Sequence, residues 1–231
     1  MTIRWLFVTT ILFTLCVCVP VMAQLDTSVG DYFGTLVSAG AETIAWEVNL
    51  TENVYCKATW LTPEYYIARK MREVIGEDVS SKEANDILEK MFKEEIPNDL
   101  VEIVVTFRCT PDGPEYTLPG NIASGAVLYN DQGVRVEGEL KEKLIDDLTL
   151  RPDWEYRSML LDFKRYLTRG KDKKKVDILA DAKTITLDLP YVTKAGKPIS
   201  FTWIVPPKYP PRPREMAKLI DFAHDKFKIV W

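Results

Sequence analysis

Hydrophobic residues in this chain recur at two different spacings, and the switches between them mark out its elements. Ile44, Trp46, Val48 and Leu50 alternate with Thr43, Ala45, Glu47 and Asn49, the period of two expected of a strand with one buried face. Thr51-Glu52-Asn53 reads as a turn and Val54 to Leu61 as the returning strand of a hairpin. The spacing then becomes helical. Thr62-Pro63-Glu64 supplies a capping hydroxyl, a proline for the first helical position and a first-turn acid, and Gly76 can stop the helix. Ser80 and Glu83 form a capping box for a second helix, whose apolar stripe is Ala84, Ile87, Leu88, Met91 and Phe92 and which Pro97 ends.

Leu100 to Cys109 is the clearest strand, with Val101, Ile103, Val105, Phe107 and Cys109 on one face. Ala126 to Tyr129 and Val134 to Leu140 flank Asn130-Asp131-Gln132-Gly133, a good hairpin turn. From Pro152 the spacing of Tyr156, Leu160, Phe163 and Leu167 predicts a long helix ending at Gly170. Val176 to Leu179, Thr184 to Val192 and Ile199 to Val205 read as strands, and Met216, Ile220, Ala223 and Phe227 as the buried stripe of a final helix. Residues 24–40 read as a lead-in or short helix. Hairpins with grouped helices, rather than strict alternation of strand and helix, predict an α+β fold: an antiparallel sheet built from hairpins with about four helices packed on it.

The N-terminus adds a destination. Arg4, an apolar stretch from Leu6 to Val19, Pro20, and Val21-Met22-Ala23 follow the pattern of a secretory signal cut before Gln24. The apolar stretch falls short of the roughly 20 residues of a spanning helix. Residues 1–23 are therefore expected to be a signal peptide. Residues 24–231 are expected to form a single exported domain, periplasmic or extracellular, that meets the membrane only in transit. The Pro- and Gly-rich 110–124 stretch is where an internal boundary could fall. The expected mature chain keeps Cys56 and Cys109, and two thiols outside the cytosol predict a disulfide between them.

Composition narrows the function without fixing it. Apolar residues make up 46% of the chain, charged residues 28%, and the net charge is −4. That balance supports a full core and argues against disorder and against a nucleic-acid binder, which would carry a basic excess. His224 is the one histidine, so no multi-histidine metal site forms within one chain, and no Walker loop, GxGxxG, GxSxG or EF-hand pattern is present. No cofactor and no metal are expected. Asp112 with Glu115, and Asp146 with Asp147, are loop acids that could do general acid and base work, but turns favour aspartate for backbone reasons.

Two basic stretches stand out. Lys171, Lys173, Lys174 and Lys175 could attract an anionic surface. Tyr209, Arg212 and Arg214 lie in the proline-rich run 206–213 and just beyond it, either a recognition surface or a strap for the last helix. Trp46, Trp60 and Trp203 fall in predicted strands and read as core. Asn49-Leu50-Thr51 is a glycosylation sequon. These features predict a non-catalytic exported domain that binds a protein or an anionic envelope component. The alternative is a carboxylate-dependent envelope or secreted hydrolase, which would need two acids converging in a concave pocket. Pairing with a partner strand at an exposed sheet edge is a third route to binding.

Overall fold

A computed structural model of the chain describes residues 31–221 apart from 39–43, 76–80, 95, 119–121, 143–148, 151, 153–155, 170–172, 193–197, 215 and 218–219. The expected signal segment, residues 1–23, lies outside the described residues, as do Lys171, Asp146, Asp147 and His224.

The chain begins with a short helix α1 (residues 31–36) and continues through β1 (Ala45–Asn49), β2 (Val54–Trp60), α2 (Pro63–Ile75), α3 (Ser81–Glu94) and β3 (Leu100–Cys109). Strands β4 (Tyr116–Thr117), β5 (Val127–Asn130), β6 (Arg135–Glu137), β7 (Glu139–Glu142), β8 (Thr149–Leu150), β9 (Tyr156–Lys164), β10 (Tyr166–Arg169), β11 (Lys174–Asp177), β12 (Thr184–Val192) and β13 (Pro198–Ile204) follow. They form two main antiparallel sheets. One is ordered β1-β2-β3-β9-β7 and the other β13-β12-β5-β6, with β10-β11 and β4-β8 as separate pairs.

The two main sheets share one core. Val54, Cys56, Ala58 and Trp60 of β2, Val101 to Cys109 at alternate positions of β3, and Met159, Leu161 and Phe163 of β9 pack against Leu128, Val136, Ile185, Leu187, Phe201 and Trp203 of the other sheet. Alternation along each strand puts these side chains on one face, and the registers align them across strands: Ile103 opposite Leu161, and Ala58 opposite Val105. The chain passes from one sheet to the other at Gly138, between β6 and β7. The Gly138 amide bonds the Ala126 carbonyl, and a Cβ there would lie 2.8 Å from the Phe163 ring. Helices cover part of the outer face of the five-stranded sheet around a second core of Tyr32, Leu36, Ile67, Met71, Met91, Phe92, Met216 and Ile220.

Local chemistry accounts for the turns. Thr62 Oγ1 accepts the Tyr65 amide at 3.2 Å and so caps α2, with Pro63 at its first position. In the β5–β6 turn the buried Asn130 carboxamide accepts the amides of Gln132 and Val134 and donates to the Ile178 carbonyl. Gly133 supplies the positive φ of 77° that closes the turn.

Two expectations are corrected. Within the helix predicted from Pro152 to Gly170 lie the strands β9 and β10, so the fold is not an antiparallel sheet carrying four helices but a mostly antiparallel, two-sheet α+β structure. The spacing of Tyr156, Leu160, Phe163 and Leu167 competed with a second pattern in the same residues, the alternation Met159, Leu161, Phe163. The second pattern wins because β9 pairs with β3 from Leu100–Lys164 to Arg108–Tyr156 and with β7 on its other side. Tyr156, the first residue of the supposed stripe, is 67% exposed. Of the last predicted helix, helical backbone is described at Arg214, Met216, Ala217, Ile220 and Asp221.

The expected Cys56–Cys109 bridge is likewise not formed: both side chains are buried and no disulfide joins them. They share the inward face of adjacent strands, but Cys56 stands opposite Phe107 and Cys109 opposite Val54. Such diagonal neighbours are typically about 7–8 Å apart, beyond the usual disulfide span of about 4.4–6.8 Å. Burial pushes the Cys56 thiol well up, and Cys109 Sγ faces the carbonyls of Thr110 and Pro114 at 3.6 Å.

Candidate functional site: a lysine hairpin and two buried acid clusters

The lysine cluster falls on the β10–β11 hairpin. Lys173, Lys174 and Lys175 are all exposed, and Lys173 takes a positive φ of 50°. Two contacts fix the base of the hairpin. The Arg165 guanidinium grips the Asp177 carboxylate through Nε at 3.0 Å and Nη2 at 2.9 Å, a bidentate pair shielded from water. Asp177 Oδ1 also accepts the Leu179 amide. The Tyr166 ring carries the Lys175 ammonium 3.8 Å from its centroid and the Arg165 guanidinium at 5.2 Å. Beside the hairpin, an open groove of about 440 Å³ is lined by Arg135, Val136, Glu137, Glu139, Lys164 and Leu167.

The second basic stretch faces inward. Arg212 Nε lies 2.7 Å from Glu64 Oε1 and Nη2 lies 2.5 Å from Glu64 Oε2. Glu64 has no exposed surface, and the Tyr32 hydroxyl donates to it as well. The hydrogen bond to Glu64 raises the Arg212 pKa, and burial followed by the Glu64 hydrogen bond raises that of Tyr32. The Arg212 guanidinium lies over the Tyr209 ring, and Tyr209 packs against the helical core, where burial drives its phenol up. Arg214 alone of this group is exposed. The structure thus separates the two basic stretches: one presents cations to solvent and the other ties the C-terminal strap to α2.

A third cluster has no counterpart among the candidate residues read from the sequence. Glu102 on β3 and Asp162 on β9 are direct cross-strand partners on the sheet face that α2 covers. Glu102 is buried, and both its oxygens are engaged: Oε1 lies 2.5 Å from Lys141 Nζ, and Oε2 accepts the Tyr66 hydroxyl. Lys141 sits at the register shift where β7 bulges against β9, and its ammonium is also 3.8 Å from Asp162 Oδ2. No hydrogen bond reaches buried Asp162 Oδ1. Burial, then the Glu102 charge, pushes the Asp162 carboxyl up from 3.8 to about 6, against the opposing pull of Lys141. Tyr66 also lines a shallow cavity of about 250 Å³ with Arg69, Lys70, Glu73 and Met91. The visible signal for Glu102 was an acid inside an otherwise apolar strand face-pair, Val101-Glu102-Ile103. Nothing in the sequence paired it with a residue sixty positions away.

The loop acids Asp112 and Glu115 are exposed, and neither lines the groove beside the hairpin or the cavity at Tyr66. Trp60 and Trp203 are buried, and Trp203 Nε1 donates to the Ile44 carbonyl. Trp46 packs half-buried on the core, while Asn49 of the sequon is exposed at the end of β1. Among the described residues no group of three or more His, Cys, Asp or Glu side chains is arranged to hold a metal ion.

No protein-family model and no curated protein matches the chain. Among solved structures, the chain is similar to a crystal structure described as a novel protein of unknown function from Burkholderia pseudomallei K96243. The two are 12% identical, with 68% of this chain and 76% of that chain covered and a TM-score of 0.30. At that distance neither fold nor function is carried across.

Proposed function

We propose that the protein is an exported, non-catalytic domain that binds an anionic component of the cell envelope through the β10–β11 hairpin. One observation carries the reading: Lys173, Lys174 and Lys175 are consecutive and exposed on a hairpin whose base is held by the Arg165–Asp177 pair. Three cations on a braced hairpin concentrate positive potential although the whole chain is acidic, and each is worth about 1 kcal/mol near an anionic surface. Export rests on the signal-like pattern of Met1 to Ala23. The test is retention of the purified protein on an immobilised sulfated polysaccharide at low ionic strength. The protein should bind and elute with salt, and K173Q/K174Q/K175Q should pass through. Equal retention of both would remove the hairpin from the reading.

The hydrolase alternative draws on the Glu102–Asp162 pair, in which Asp162 is desolvated. Both Glu102 oxygens are already engaged by Lys141 and Tyr66, which favours a structural use of this pair and leaves binding as the better-supported reading.

A further inference from the structure

Cross-strand partners of like charge are unfavourable unless something neutralises one of them. Glu102 and Asp162 stand in that relation with side chains only 1% and 13% exposed, and among the described residues one half-exposed ammonium, Lys141, lies within 4.0 Å of both. Charge balance there calls for one negative charge, not two. The hydrogen bonds agree. Glu102 is complete as an anion, receiving Lys141 and the Tyr66 hydroxyl. Asp162 keeps a buried oxygen that no donor reaches. Its carboxylate neighbour Glu102 is an acceptor, so a proton on Asp162 turns an uncompensated acceptor into a donor facing an acceptor.

We propose that Asp162 holds a proton beside Glu102 and that this proton acts as a pH-sensitive clamp on the edge strand β7. The groups around Asp162 come from every neighbouring element: Glu102 from β3, Lys141 and Glu139 from β7, and Tyr66 from α2 through Glu102. In a mildly acidic compartment the protonated pair matches the Lys141 charge. Above the midpoint the proton leaves as a hydronium or to buffer, and two buried anions face one cation. Relief comes most cheaply where the sheet is weakest. β7 is four residues long, lies at the edge, pairs on one side only and is broken by the bulge at Lys141. Its Leu140 is 41% exposed. Separation of β7 from β9 admits water to Asp162 and returns it toward an ordinary acidity.

The experiment pairs a carbon-13 carboxyl titration of the purified protein, pH 4 to 8, with amide hydrogen exchange corrected for intrinsic pH dependence. Asp162 should titrate near 6. The protection of the β7 amides, Glu139 to Glu142, should fall by up to about tenfold per pH unit above that midpoint, and Asp162→Asn, a neutral donor of the same shape, should flatten the dependence. An Asp162 midpoint at its ordinary value, or an unchanged β7 profile in Asp162→Asn, would overturn the proposal. Should that variant fail to fold, Lys141→Gln serves instead. Removing the cation should move the Asp162 midpoint higher, and an unmoved midpoint would equally overturn it.

Discussion

Arg212 places two nitrogens on the carboxylate of Glu64, a residue 148 positions earlier in the chain and wholly buried at the start of α2. This pair anchors the proline-rich strap to the helical layer and defines what that strap is for. Breaking a buried pair by removing one partner leaves an uncompensated charge, a loss of about 3–5 kcal/mol. Arg212→Ala is therefore expected to lower the urea midpoint sharply, whereas Arg214→Ala, at an exposed position, should change the stability by less than about 0.5 kcal/mol. Equal effects of the two substitutions would show that the strap is not anchored through Glu64.

Gly138 is the point at which the chain steps between the sheets. Its Cα faces the Phe163 ring so closely that an added methyl would sit at 2.8 Å from Cε1 and 3.1 Å from Cζ. Gly138→Ala should cost about 1–3 kcal/mol by displacing Phe163 or the strand. Gly133→Ala, where a Cβ has open space but φ is positive, should also destabilise, through backbone strain instead of packing. Combining Gly138→Ala with Phe163→Leu should recover part of the first loss and none of the second, as measured by chemical denaturation.

The two core cysteines provide a test of the inward face. In the native protein Cys56 and Cys109 should resist alkylation, because both are buried and burial opposes formation of the Cys56 thiolate. After denaturation without reductant, both should be labelled, as located by peptide mass mapping. A Cys56–Cys109 linked peptide would instead mean that β2 and β3 can approach more closely than their register allows.

Stability should also depend on pH through Asp162. Its carboxyl is raised in the fold from 3.8 to about 6, so the folded state holds a proton that the unfolded chain releases. The resulting stabilisation is full below the unfolded value and is lost as pH rises through about 6. Two units correspond to about 3 kcal/mol at most. Denaturation at pH 4.5 and 7.5 should show this loss in the wild type relative to Asp162→Asn, and parallel pH profiles for the two proteins would exclude it.

Much of the sheet was legible because alternation and burial coincide in it. β3 and β12 fall on their predicted ranges, and Thr62-Pro63 starts α2 as its chemistry requires. The failure at β9 has a physical cause. Phe163 belongs to both a helical and an alternating series, and only the neighbours β3 and β7, distant in sequence, choose between them. Strand pairing also explains why the acid pair stayed hidden, since Glu102 and Asp162 meet only through a register that no local pattern encodes. The lysine hairpin was visible as composition. That Arg212 is spent inside the molecule while Lys173 to Lys175 are not could be read only from their partners.

Binding through the β10–β11 hairpin can be tested by elution. Its most direct measurement is the salt at which the protein leaves an immobilised sulfated polysaccharide, compared between wild type, K173Q/K174Q/K175Q and an equally neutralising control at exposed helix positions, R69Q/K90Q/K93Q. The hairpin variant should lose about 100-fold in affinity at unchanged stability, while the helix control should bind as the wild type does. Equal weakening by both triple substitutions would contradict it, because binding would then follow net charge and not the hairpin.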